Sequence, residues 1–306
     1  MSDTTNLGEW IGNNSVRTIR AQTVTLDGAL VGKHLSPKKF ESGAQSGWGF
    51  ADIALAVDLG NTAQLGFDFG DWRGEMHDVF LRPDLTTLST DASLPGLATV
   101  MCDLVDQHGA PLPVCSRSTL ARVVKELAEL GFTGKAAVEI EATVFEESIE
   151  QAREQRFTNL HPLGGTQGAI YLLSRSRDYT TLMDAIADRI ERAGIPWEGW
   201  ADESAHGQIE VNLPPTDILT AADWYVRTKQ IMREVAYEHG RTITFMLGGR
   251  RTSSGRALTS TFRFNRTDGT PSSMKSSPRA RRRRCGTSSV ASSTQWRRPV
   301  LSSIRP

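Results

Sequence analysis

Four glutamates carry the most legible chemistry in this 306-residue chain. Glu139-Ile140-Glu141 lies in an apolar, β-branched run, and Glu203 is followed by Gly207-Gln208-Ile209-Glu210. In a strand, residues two apart point the same way, so Glu139 and Glu141 can present two carboxylates on one face. A second acidic pair brought from elsewhere would close a cluster of four oxygen-donor side chains. Such a cluster is too repulsive to stay ionised and dry without cations, and hard divalent ions are the natural counter-charge. Taken alone, Glu-x-Glu on a strand is more often a solvated face, so the context of the motif has to decide.

Other chemistry-bearing residues read more plainly. Cys102 has Asp103 beside it but no histidine spaced to activate it, which makes it a core thiol rather than a nucleophile. Gly164-Gly165-Thr166-Gln167-Gly168 suggests a phosphate loop, yet it lacks the Gly-Lys-Ser/Thr ending and a preceding apolar strand, so it reads as an ordinary loop. His206 falls between two acidic candidates and is read as an exposed side chain rather than a ligand.

The elements that must position the glutamates follow from periodicity. Residues 16–35 read as a hairpin turning at Asp27-Gly28. Residues 47–60 and 70–74 are loop-rich, and 84–96 reads as a connection. A buried strand over 98–105 stops at the turn residues 106–111. Ser116 or Ser118 caps a helix whose Leu120, Val123, Val124, Leu127 and Leu130 follow 3.6-residue spacing. Gly131 and Gly134 lead into a strand over 136–145. A second helix spans 179–192 and ends at Ala193-Gly194-Ile195-Pro196. A third starts near Thr216 or Asp217, after Pro214-Pro215, and runs to Gly240, with a strand over 241–246 behind it. Helices alternating with antiparallel-style strands make the class α+β.

Composition sets the frame. At 39% hydrophobic and 23% charged residues, the chain can bury a core in two domains. No apolar run approaches a membrane span, and the polar start lacks a signal-peptide pattern. Three cysteines without metal-type spacing fit a reduced, cytoplasmic protein. The formal net charge of +0 hides an asymmetry. Residues 247–306 hold 13 Arg and one Lys against Asp268, a net of +13, which leaves −13 on the preceding 246 residues.

In their order along the chain, several motifs resemble the glutamine synthetase family. They are Asp106-x-x-Gly109-x-Pro111, Arg117-x-x-Leu120, Glu139-x-Glu141, Ala193-Gly194-Ile195-Pro196-x-Glu198, Glu203 to Glu210 around Gly207-Gln208, Ala221-Ala222-Asp223, Lys229 and Thr244-Phe245-Met246. Together they cover about residues 15–246. The resemblance implies an N-terminal β-grasp domain (1–100) and part of a catalytic domain with a curved antiparallel sheet (101–246). It also implies ring-shaped oligomers with sites between neighbouring subunits. The reaction would be ATP-dependent: glutamate is phosphorylated on its γ-carboxylate, and ammonia or an amine displaces phosphate. Glu139, Glu141, Glu203 and Glu210 would then hold Mg2+ or Mn2+. Asp52, in a loop that reaches a neighbour's site, would be a catalytic residue. Gly47-Trp48-Gly49-Phe50-Ala51-Asp52 and the short Glu203–Glu210 spacing resemble the branch that joins glutamate to polyamines and other amines.

Residues 247–306 depart from that family. After Thr244-Phe245-Met246 the family continues with a lysine, a glycine-rich turn and a His-x-His-x-Ser strand, none of which appears. Reading each codon from the last base of the preceding one lets Thr259 and Thr261 become His, and Ser260, Phe262 and Arg263 become Val, Val and Ser. The segment therefore reads as an out-of-frame, disordered basic tail of a truncated chain. It would bind polyanions without sequence preference. Two other readings remain open: a non-catalytic binding or regulatory subunit that assembles with an intact paralogue, and an acidic body with a nucleic-acid-binding arm.

Overall fold

The computed structural model describes residues 6–57, 62, 78–90, 94–165, 170–246 and 259–266. The chain opens with helix α1 (Leu7–Asn13), followed by strands β1 (Thr18–Val24) and β2 (Leu30–Leu35). These two pair antiparallel as the expected hairpin. Gly28 takes the turn at φ +75, a left-handed value that a side chain disfavours. Helix α2 (Pro37–Gly43) is capped by Ser36, whose side chain accepts from Lys39 N. Strand β3 (Trp48–Ala51) then leads into a 3-10 turn over Asp52–Leu55. Strands β4 (Asp78–Pro83), β5 (Ser89–Thr90) and β6 (Leu97–Val105) complete a mixed sheet ordered β2-β1-β6-β4-β3, with β5 also pairing β6. β1 and β6 run parallel. Their inward residues pack with Leu7, Ile11, Phe40 and Trp48, and the Phe40 and Trp48 rings stack at 5.0 Å.

Beyond this sheet come helix α3 (Ser116–Glu129), strand β7 (Phe132–Phe145), helix α4 (Ile149–Glu154) and helix α5 (Leu173–Arg192). Strands β8 (Gly199–Asp202) and β9 (Gln208–Asp217), helix α6 (Ile218–Glu238) and strand β10 (Thr242–Thr244) follow. β7 is central to a second, antiparallel sheet ordered β10-β7-β9-β8. Ile140, Ala142, Val144, Ile209 and Val211 bury one face of it against Met183, Ile186 and Ile190 of α5 and Met232 and Val235 of α6.

Several expectations shift. Cys115, not Ser116 or Ser118, caps α3, its thiol accepting from Ser118 N at 3.4 Å. On α3, Val123 and Leu130 are exposed rather than covered. Pro214-Pro215 does not end the strand: β9 runs through it to Asp217, and the prolines sit where the β7–β9 register slips between Ala136 and Val138. A bulge tolerates the missing amide donors.

Within the segment expected to be a structureless tail, residues 259–266 form strand β11 (Thr259–Arg266). It pairs antiparallel with β7, Thr259 opposite Glu139 and Arg266 opposite Phe132. Residues 247–258 and 267–306 lie outside the described set, and so does the tail expectation that falls on them.

Arginines stitch the two sheets together. Arg20 of β1 pairs with Glu234 of α6 at 2.9 Å. Arg227 of α6 donates to Ser89 Oγ at 3.0 Å and to the Ala193 carbonyl at 2.9 Å.

A carboxylate cluster as candidate active site

Alternation along β7 puts Val138, Ile140, Ala142 and Val144 in the core and leaves Glu139 and Glu141 half-buried on the opposite face. Pairing does the rest. Glu141 stands opposite Glu210 of β9, and Glu210 stands opposite Ala201 of β8. Directly opposed side chains project from the same face about 5 Å apart, where like charges repel. Glu203 follows β8, and its backbone N donates to the Gln208 carbonyl at 3.0 Å. Three chain segments thus bring the four predicted glutamates to one neighbourhood.

Glu210 registers the result. Its carboxyl is pushed up to about 7, first by burial and then by Glu139, Glu203 and Glu141, against a single lowering hydrogen bond from Asn212. Oxygen donors alone, with their repulsion unrelieved, suit a hard divalent cation. The carboxylates are neighbours without being drawn together: among the described residues, no three acidic, histidine or cysteine groups already form a metal-sized set. An ion would draw them inward.

The Gly207-Gln208 pair positions the cluster. Gln208 is buried, its Nε2 donates to Glu141 Oε2 at 2.6 Å, and its Oε1 accepts from Ala205 N at 3.1 Å. Gly207 sits at φ +69, its carbonyl accepts from Val144 N at 2.9 Å, and a Cβ there would lie 2.6 Å from the Val144 carbonyl oxygen. Only glycine lets the strand approach that closely.

Tyr171 belongs to the site and was not singled out from sequence. Glu203, Glu210 and Glu139 raise its phenol pKa, and its backbone N donates to the carbonyl of Asp202, the residue before Glu203, at 3.4 Å. It precedes α5 with φ 56. No local pattern marks it; only the fold brings it there.

Asp52 is not part of this group. It starts the 3-10 turn of the first sheet, is 4% exposed, and its Oδ1 has no hydrogen-bond partner among the described residues. It is absent from the charges that perturb Glu210.

The remaining motifs are scaffold. Asp106 Oδ1 accepts from His108 N and Ala110 N, both at 2.8 Å, closing the turn after β6. Gly194 and Ile195 cap the end of α5 through Glu191 and Ile190 carbonyls. Arg117 is buried and donates to Asp223 at 2.9 Å, Asp84 at 2.7 Å and Asp103 at 3.1 Å. Lys229 is buried, its ammonium 4.9 Å from the Tyr225 ring centroid and 5.1 Å from that of Phe245. His206 is exposed, and Cys102 is fully buried with its thiol pKa driven up by desolvation.

Residues 113–258 match the catalytic domain of glutamine synthetase. The similar curated proteins include ligases. A glutamate–isopropylamine ligase from a Pseudomonas species is 29% identical over 78% of this chain and 52% of its own length. A γ-glutamylpolyamine synthetase of Streptomyces coelicolor is 32% identical over 66% of this chain and 42% of its own. A type-1 glutamine synthetase of Dictyostelium discoideum is 30% identical over 72% and 42%. The chain spans about half the length of the curated relatives it matches. Among solved structures, a GmaS–ADP complex superposes with TM-score 0.73 at 20% identity over 88% of this chain and 57% of the other, and Plasmodium falciparum glutamine synthetase with 0.69 at 18% over 86% and 54%. The fold is that of these solved structures. The chain belongs to the glutamine synthetase family.

Proposed function

We propose that this chain derives from an ATP-dependent carbon–nitrogen ligase that joins the γ-carboxylate of glutamate to ammonia or an amine. The carrying observation is Glu210, raised to about 7 by burial and three neighbouring glutamates. Glu139, Glu141, Glu203 and Glu210 would hold Mg2+ or Mn2+. Divalent ions bound there offset charge that develops as a phosphoryl group moves from ATP. Gln208 fixes the orientation of Glu141 through its 2.6 Å hydrogen bond. Tyr171, with its raised pKa, stays protonated and can donate a hydrogen bond into the site. The names of several relatives favour an amine as nucleophile over ammonia.

Asp52 is the proposed catalytic group, acting in a neighbouring subunit's site within a cytoplasmic, ring-shaped homo-oligomer. Its buried, unpartnered Oδ1 and its position on the other sheet support that reading. The N-terminal unit is proposed to be the family's β-grasp domain.

The basic segment is proposed to be out of frame. Its Thr259-Ser260-Thr261 stretch is the part whose shifted codons permit His-Val-His, and Thr259 pairs with Glu139 beside the carboxylate cluster. On this reading the chain as written lacks ligase turnover, because later metal- and phosphate-binding groups are missing. The test is ADP release with glutamate and a panel of ammonium, isopropylamine and putrescine. The expected result is none from the 306-residue chain and amine-dependent turnover once one base near codon 247 is corrected. Robust turnover by the chain as written would refute the frame reading. Failure of Mn2+ to bind, with the same failure after Glu210→Gln, would refute the metal assignment.

A further inference from the structure

A cavity of about 410 Å3 lies on the seam between the two sheets, away from the carboxylate cluster. Arg20, Arg189 and Arg233 line it together with Glu234 and Glu238. Both carboxylates are engaged. Glu234 Oε1 accepts from Arg20 Nη1 at 2.9 Å and from Gln230 Nε2 at 2.8 Å, and its Oε2 accepts from Arg189 Nη2 at 2.7 Å. Glu238 Oε1 accepts from Arg189 Nη1 at 2.6 Å. Arg189 is 4% exposed, so this lattice is built into the fold rather than draped on its surface.

Among the described residues the lining therefore carries three positive and two negative charges, a surplus of one. Arg233 holds it. Among the described residues no carboxylate lies in ion-pair range of Arg233, and its guanidinium carbon sits 4.7 Å from the Phe245 ring centroid. Leu94 and Tyr237 add apolar surface to the wall. Leu94 and Arg20 belong to the first sheet's side of the seam, whereas Arg189, Arg233 and Tyr237 belong to α5 and α6.

We propose that this cavity binds a small monoanion, a carboxylate carried on an apolar body. A planar guanidinium grips a carboxylate with two parallel hydrogen bonds, and one such group cancels the surplus charge. The apolar body rests against Leu94 and the Tyr237 ring. The volume falls within the range of small-molecule sites. Because the walls come from both sheets, the ligand clamps the seam and stabilises the fold by mass action. The site is independent of the proposed ligase chemistry.

Calorimetric titration of the full 306-residue chain with benzoate and hexanoate tests this, with neutral benzamide as control. Arg233→Gln removes the surplus cation at an exposed position, and Leu94→Trp fills the cavity with every charge kept. Any binding by the basic segment is common to all three proteins. The expected result is that both carboxylates bind, that benzamide does not, and that each substitution weakens binding by at least about tenfold. Equal affinity in the three proteins, benzamide binding as tightly as benzoate, or no carboxylate binding tighter than about 10 mM would overturn the proposal.

Discussion

Two places in this molecule gather carboxylates, and they resolve the crowding in opposite ways. Around Arg117, Asp84, Asp103 and Asp223 converge on one buried guanidinium. Burial opposes ionisation of Asp84, but hydrogen bonds from Thr86 and Arg117 outweigh it and hold its pKa below the ordinary value. Asp223 is more deeply set, and burial raises its pKa despite Arg117. On the other sheet, Glu139, Glu141, Glu203 and Glu210 crowd together with no cation among the influences on Glu210, whose carboxyl rises to about 7. An internal cation makes the first cluster a structural joint. With no such cation among the described residues, the second has a standing electrostatic demand, which an external cation can meet.

Removing the internal cation should have the largest effect. Arg117→Met leaves three aspartates facing one another at the joint, Asp84 and Asp103 from the first sheet's side and Asp223 from α6. Breaking a buried pair this way should cost about 3–5 kcal/mol. Urea denaturation measures it, and a loss under about 1 kcal/mol would erase the distinction between the two clusters.

The acidic cluster should respond with the opposite sign. Glu210→Gln relieves repulsion, so the metal-free protein should gain about 1 kcal/mol at pH 8 after allowance for solvent screening of a half-buried group. The same change should weaken Mn2+ binding at least about tenfold, as titration calorimetry would record. A substitution that destabilises the metal-free protein instead would mean that the carboxylates support one another without an ion.

Acidity separates the clusters further. The folded-state pKa of Glu210 is raised, so between about 4.5 and 7 the folded protein binds more protons than the unfolded chain. The stability contributed there is present at lower pH and is lost as pH rises through about 7. Asp84 behaves inversely: its pKa is depressed, so its contribution is present above the unfolded value of about 4 and is lost as pH falls below it. Metal-free stability curves should therefore show a decline toward pH 8 that Glu210→Gln abolishes and Mn2+ offsets. Asp84→Asn should leave that decline intact.

Gly207→Ala should cost about 1–3 kcal/mol, since the new Cβ meets the Val144 carbonyl in a left-handed backbone. The smallest effect belongs to the exposed pair Arg122–Glu126, four residues apart on α3 at 2.8 Å. Its removal should change stability by about 0.5 kcal/mol or less and should fade in salt. A larger value would mean that distance alone, rather than burial, sets the strength of ion pairs in this protein.

Local signals marked much of the frame. Asp27-Gly28 announced the hairpin because a short loop closed by a left-handed glycine has few alternatives; the loop is Leu26-Asp27-Gly28 between Thr25 and Ala29. The helices α5 and α6 were visible in their stop and start signals, Ala193-Gly194-Ile195-Pro196 and Thr216-Asp217, although α5 begins at Leu173 rather than near Tyr179. The strands β4, β8 and β9 were not read. β8 is only four residues long, and β9 carries two prolines that normally argue against a strand, here excused by a bulge. Residues 259–266 were read as part of an unstructured tail, yet Thr259-Ser260-Thr261-Phe262 is β-branched and aromatic enough to join the free side of β7.

The sequence by itself determined that Glu139 and Glu141 share a face, because strand alternation is a property of the backbone. The order of its motifs also pointed to the family. Only the tertiary structure decided that Glu210 stands opposite Glu141, that Tyr171 comes within electrostatic reach of Glu203, Glu210 and Glu139, and that Arg117 finds partners 14, 33 and 106 residues away. Register and burial decide such meetings. They depend on how whole faces of helices and sheets pack, which no window of local periodicity contains.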